Sequence, residues 1–140
     1  MPSKYSTVQG VRQILVLAGS LEESKEALKF VKQNASLYST VGVHPTRCNE
    51  FEADAEKHFA ALLEVAQQGI KVGKVIAIGE CGLDYDRTEF CSKEIQLRHF
   101  EQHFRLAECC SNTQMHTHIH QSTHQRLAQG QGEDLVHASF

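Results

Sequence analysis

Val75-Ile76-Ala77-Ile78 runs straight into Gly79-Glu80-Cys81-Gly82-Leu83-Asp84-Tyr85-Asp86, and this junction restricts the fold more than any other stretch of the sequence. An aliphatic run without polar alternation suits a strand covered on both faces, as in a parallel sheet flanked by helices. Glycines on either side of Glu80 let the chain turn sharply and let a substrate come close, so a carboxylate is delivered to the carboxyl end of a strand. In α/β proteins ligands bind at that end. Ser39-Thr40-Val41-Gly42-Val43, leading into His44-Pro45-Thr46-Arg47, repeats the arrangement and sets His44 at a second strand end. A single glutamate after a strand more often caps a helix or pairs with a cation; its coincidence with His44 is what argues for a shared site.

Strand-like and helix-like segments alternate up to Cys110, the pattern of repeated βα units. The spacing predicts strands over Gln13–Ala18, Leu37–Val43 and Lys74–Ile78. Between the first two, Ser20 with Glu23 forms a capping box for a helix that buries Ala27, Leu28 and Val31 and ends near Asn34. Asn49 with Glu52 offers a second box ahead of Phe51, Ala55, Phe59, Leu62 and Ala66, a stripe that Gly69 can terminate in a left-handed conformation. Ser92 caps a third helix carrying Leu97, Phe100, Phe104 and Ala107 on one face, with Glu94/Arg98 and Glu101/Arg105 pairs outside.

The chain has 140 residues, enough for one domain and its core. Its five cysteines, Cys48, Cys81, Cys91, Cys109 and Cys110, are an odd set without Cys-x-x-Cys spacing, which argues against a disulfide framework or structural zinc site. A formal charge of −3 without a dense Lys/Arg block argues against a broad basic face, so a nucleic acid would be held locally. No apolar run is long enough for a membrane span, and the first residues lack a secretory core, which predicts an intracellular protein. The absence of a Gly-x-Gly-x-x-Gly loop weakens a flavodoxin-like or other nucleotide-binding alternative.

Past Cys110 the pattern stops. Residues 111–124 hold neither an apolar strand nor a helical stripe, and Gly130 and Gly132 add flexibility. The expectation is one partial domain over 1–110 and a flexible tail over 111–140 that is not homologous to the domain's continuation, of the kind a splice or frame change would leave.

The segments Val41-Gly42-Val43-His44-Pro45-Thr46-Arg47-Cys48 and Ala77-Ile78-Gly79-Glu80-Cys81-Gly82-Leu83-Asp84-Tyr85-Asp86-Arg87 closely resemble the TatD family of metal-dependent deoxyribonucleases, most closely its animal members. Similarity extends through Gln96-Leu97 and Phe100-Glu101 to Leu106-Ala107-Glu108 and back to Gly19, covering roughly residues 10 to 108.

The resemblance implies a TIM-type (β/α)8 barrel, here truncated to about three βα units with a disordered C-terminal tail. It implies DNA as substrate, a nuclear or cytoplasmic location, and two divalent ions per complete site, Mg2+ first with Mn2+ or Zn2+ as alternatives. Glu80 then matches the family's ion-ligating, commonly bridging glutamate, and His44 a rim histidine facing the phosphate. Asp84 falls in the Gly-Leu-Asp turn as a supporting residue, and Arg87 is a substrate contact or an exposed ion-pair partner. The family's first-strand ligand pair has no counterpart ahead of Gly10, and its sixth- and eighth-strand ligands fall beyond residue 140. His116 and His118 are candidates for the fifth-strand histidine, because His-x-His spacing puts both on one strand face. Two polar residues where a barrel strand is usually aliphatic speak against that assignment. A chain missing these parts leaves apolar surface and sheet edges open, which predicts self-association, little or no turnover, and, as the alternative function, a non-catalytic binding fragment.

Overall fold

The computed structural model describes residues 10–110 and 113–119, with the backbone alone at 118. Strands β1 (Ile14–Val16), β2 (Leu37–Val41), β3 (Val75–Leu83) and β4 (Gln114–Ile119) form one parallel sheet in the order β1-β2-β3-β4. Helices α1 (Leu21–Val31), α2 (Ala55–Lys71) and α3 (Lys93–Cys109) fill the crossovers, and a 3-10 helix (Pro45–Phe51) precedes α2. Each strand pairs with the next in sequence. That is how a sheet winds toward a barrel, whereas a doubly wound sheet reverses its strand order at a switch point.

Local chemistry explains the elements. The Ser20 hydroxyl caps α1 by accepting from Glu23 N–H at 3.1 Å, and the Glu23 carboxylate reaches back to Gly19 N–H at 2.8 Å. Ser92 caps α3 as expected, accepting from Ile95 N–H. The Asn49–Glu52 box does not form. Pro45, whose fixed φ and missing N–H suit a first helical position, opens the 3-10 helix with His44 as its cap. Asp54 caps α2 instead, accepting from Lys57 N–H at 3.0 Å. The helix also runs past Gly69 to Lys71, and Gly73, at φ +70°, takes the left-handed turn. Gly69 serves close packing: a Cβ there would lie 2.2 Å from Val75 Cγ2, so its absence lets α2 settle on β3.

Leu28 and Val31 of α1, Leu62 and Ala66 of α2, and Leu106 of α3 pack with Leu37, Val41, Val75 and Ile78 of the sheet. A second cluster joins Cys81, Leu83 and Phe100, with Leu97, Phe104 and Met115 against it. α3 is therefore buried on two sides. Leu97, Phe100 and Phe104 of the expected stripe join the second cluster and Ala107 packs on the first, while Gln96, His99, His103 and Leu106 are buried as well. Arg98 pairs with Glu94 at 3.0 Å as expected, but Arg105 pairs with Glu56 on α2, at 3.1 Å, in place of Glu101. Ile14, Leu15 and Leu17, on and just after β1, and Ile76 on β3 remain 37–45 % exposed among the described residues.

Two expectations about the sheet are corrected. β3 does not end at Ile78 but continues through Glu80 to Leu83, with a register irregularity between Ile78 and Cys81. Nor does ordered structure end at Cys110: Ala77, Ile78, Cys81 and Leu83 pair with Gln114, Met115, Thr117 and Ile119 of β4. This strand needs little apolar content, since the β3 ladder satisfies its backbone and Met115 packs against the Phe100 cluster. Expectations for residues 1–9, 111–112 and 120–140 lie outside the described residues.

Candidate active site

The carboxyl ends of β1 and β2 meet the carboxyl-terminal half of β3 on a floor made of main chain. Gly42 has no side chain to separate β2 from β3: a Cβ there would lie 2.5 Å from Glu80 O and 2.6 Å from Gly79 C. This close approach lets Glu80 N–H reach across to Ala18 O at 2.8 Å, tying β3 to the end of β1. His44 N–H donates to Gly19 O at 3.0 Å, tying β2 to the same end. Gly19 thus stands between the candidate groups. A Cβ on it would lie 3.7 Å from Glu80 Oε2, 3.4 Å from His44 Cβ and 3.3 Å from Glu23 Oε2. Glu80 and His44, singled out in the sequence, are brought together.

The His44 ring is fixed by its own turn. Thr46 N–H donates to Nδ1 at 3.2 Å, and Thr46 Oγ1 lies 2.7 Å from the same nitrogen. With Nδ1 accepting, the neutral ring bears its proton on Nε2, a donor suited to a phosphate oxygen. Glu23 joins this rim as a residue that sequence reading assigned only to capping. An ion pair with Arg47 and the Gly19 N–H bond hold its carboxyl below the usual range. Arg47 and Glu23 are both about half exposed, which places the pair at the solvent edge.

Asp84 is fully buried, and its carboxylate takes Arg87 Nε at 2.7 Å and Arg87 N–H at 3.2 Å. With Nη2, at 2.5 Å, three Arg87 donors support the turn after β3, while its side chain is 46 % exposed. Gln96 clamps the same loop from α3. Its Oε1 accepts from Asp84 N–H at 2.7 Å, and its Nε2 donates to Asp84 O at 2.9 Å and Cys91 O at 2.8 Å. A buried glutamine inside a helix resembles a surface residue in sequence; the loop of polar carbonyls it faces is the missing context.

His116 lies on β4 beside the glycine that precedes Glu80: a Cβ on Gly79 would come 2.3 Å from His116 O. Its residue is exposed, and Cys81 Sγ contacts His116 O at 3.7 Å. His118 pairs with Gly82 in register, and its side chain lies outside the description. Among the described residues no group of three His, Cys, Asp or Glu side chains is placed to hold an ion. Glu80 is a carboxylate donor of the kind a divalent ion takes, and such an ion needs more ligands than the described residues place beside it.

The family described as "TatD related DNase" matches residues 4–134. The chain belongs to the TatD family. The match continues beyond Cys110 and takes in β4. Among curated TatD proteins, "3'-5' ssDNA/RNA exonuclease TatD" of Escherichia coli is 40 % identical over 98 residues, covering 70 % of this chain and 35 % of that protein. "Deoxyribonuclease Tat-D" of Schizosaccharomyces pombe is 35 % identical over 101 residues, covering 70 % and 32 %. The chain thus spans about a third of the length of these relatives. A crystal structure of a TatD family hydrolase from Entamoeba histolytica superposes with a TM-score of 0.76 at 30 % identity, over 90 % of this chain and 42 % of that one. The four-stranded sheet is accordingly part of a TIM-type barrel, and the convergent strand ends lie where such barrels carry their chemistry. No helix among the described residues is long and apolar enough to cross a membrane.

Proposed function

We propose that this TatD chain acts in divalent-metal-dependent hydrolysis of phosphodiester bonds in DNA, with Glu80 as metal ligand and His44 as the group facing the phosphate. The observation that carries the reading is the meeting of Glu80, in the carboxyl-terminal half of β3, with His44 around Gly19, beyond the ends of β2 and β1. A bound divalent ion would supply charge neutralisation at the phosphate and a more acidic water. The chain's own contribution is positional. The Glu80 amide is pinned to Ala18, and the Thr46-held His44 ring presents a donor from Nε2. The names of the Escherichia coli and Schizosaccharomyces pombe relatives support nucleic acid as the substrate class. Asp84 and Arg87 support the turn, and the remaining Arg87 donor capacity is assigned to the substrate backbone.

The test is cleavage of end-labelled single-stranded DNA by the full chain with Mg2+, Mn2+ or Zn2+, beside Glu80→Ala and His44→Ala. Metal-dependent cleavage that falls at least about a hundredfold in Glu80→Ala is expected. Cleavage no greater than that of Glu80→Ala under every metal would overturn the assignment and leave a binding role for the chain.

A further inference from the structure

The strand hydrogen bonds of β2 end at Val41, yet Val43, two residues on, is completely buried. A buried N–H beyond the end of a ladder needs an acceptor, or it carries a desolvation penalty of about 1–3 kcal/mol. The acceptor comes from sixty residues away in sequence: His103 Nε2, on α3, takes Val43 N–H at 2.9 Å. The other ring nitrogen donates to His99 O at 2.7 Å, which fixes the tautomer with the proton on Nδ1 and the lone pair on Nε2. Phe51 stands edge-on to the His103 ring at 6.0 Å and stacks on His99 at 4.3 Å, so neither ring can turn freely. His99 Nε2 in turn lies 2.7 Å from Glu52 Oε1.

We propose that His103 is the positioning residue for His44, acting through the Val43 amide. This rests on the assignment of His44 to the site. The chain enters His44 with Val43 N–H held by His103, His44 N–H held by Gly19 O, and Pro45 restricting the exit. Of these three restraints, His103 is the one delivered by α3, and it connects the buried side of that helix to the rim. The chemistry asks for an uncharged acceptor at the end of a short, flat side chain. Burial keeps the imidazole neutral, pushing His103 down to about 4. A glutamine could present an oxygen to the same amide; a leucine could fill the space and accept nothing.

The experiment is nuclear magnetic resonance on the 15N-labelled full chain and its His103→Gln and His103→Leu variants. A nitrogen–nitrogen coupling through the Val43 N–H···Nε2 bond is expected in the parent. In His103→Leu, Val43 amide exchange should accelerate roughly tenfold or more. The His44 ring nitrogens should also lose their separate Nδ1-acceptor and Nε2-protonated signature. Both effects should recover in His103→Gln. A merely space-filling role for His103 would leave the His44 ring signals of His103→Leu at their parental positions, and that result overturns the proposal. So does absence of the coupling in the parent, an observation independent of whether His103→Leu folds. Because the readout is the His44 ring and not turnover, a chain without nuclease activity sinks the proposed function and leaves this inference to be decided on its own data.

Discussion

Changing Gln96 to glutamate replaces one NH2 by oxygen at a site with no solvent access, and the consequence can be worked through with its pH dependence. Oε1 can still accept from Asp84 N–H, but the atom that donated to Asp84 O at 2.9 Å and Cys91 O at 2.8 Å would now face both carbonyls as an acceptor. Ionised, the new carboxyl is repelled. Protonated, it satisfies one carbonyl and leaves the other short of a donor, a cost of about 1 kcal/mol. Holding it protonated at pH 7 against an unfolded value of about 4.3 costs about 4 kcal/mol more. The folded-state pKa is raised, so the penalty is complete well above the unfolded value and fades as pH falls toward it. Urea unfolding followed by circular dichroism should therefore show Gln96→Glu about 5 kcal/mol below the parent near pH 7 and only about 1–2 kcal/mol below it near pH 4. Gln96→Leu loses the same donor without gaining a titratable group, and its deficit should stay flat with pH. An equal deficit for Gln96→Glu at both pH values, or one under about 1 kcal/mol at neutrality, would refute the assignment of Gln96 as the clamp of this loop.

Gly42→Ala would put a methyl group 2.5 Å from Glu80 O and 2.6 Å from Gly79 C, both backbone, and should cost about 3 kcal/mol or more in a urea titration. Gly19→Ala, whose nearest contact would be Glu23 Oε2 at 3.3 Å, should cost less than about 1 kcal/mol; equal losses would disprove the argument from close approach. Burial lowers His103 from 6.5 to about 4, so folded stability should be complete above the unfolded value and decline as pH drops from 6.5 toward 4, by about 3 kcal/mol in total. His103→Gln should flatten that part of the stability–pH curve, and an unchanged slope would show that the histidine is not buried neutral.

The sequence exposed those parts of the fold whose signals are local. The aliphatic run at 75–78, the Ser20 and Ser92 caps and the Leu28/Val31 stripe follow from short-range preferences, and each is found in place. Glu80 and His44 were legible because each follows a strand-like run. The parts that were not legible depend on what arrives from elsewhere in the chain. β4, with Met115 and Ile119 as its apolar residues, is a strand because β3 offers it a ladder. The Asn49–Glu52 box loses to Pro45 and Asp54, and Asn49 Nδ2 instead donates to Phe90 O at 2.6 Å. His99 and His103 stand four residues apart on one face of α3, a spacing that could have marked them as a pair. Only the 3-10 helix and the Val43 amide explain why that face is buried.

Gly19 and Gly42 follow the ends of β1 and β2 and Gly79 lies within β3, and at the latter two a Cβ would meet the backbone of the next strand. The base of this mouth is therefore built from peptide units, which have no rotamers to exchange. The rim is of another kind, since Arg47, Glu23 and Arg87 are each about half exposed and meet the solvent through long side chains held by ion pairs. The mouth is thus divided by depth: a bed of main chain below, and an edge of paired charged side chains at the solvent.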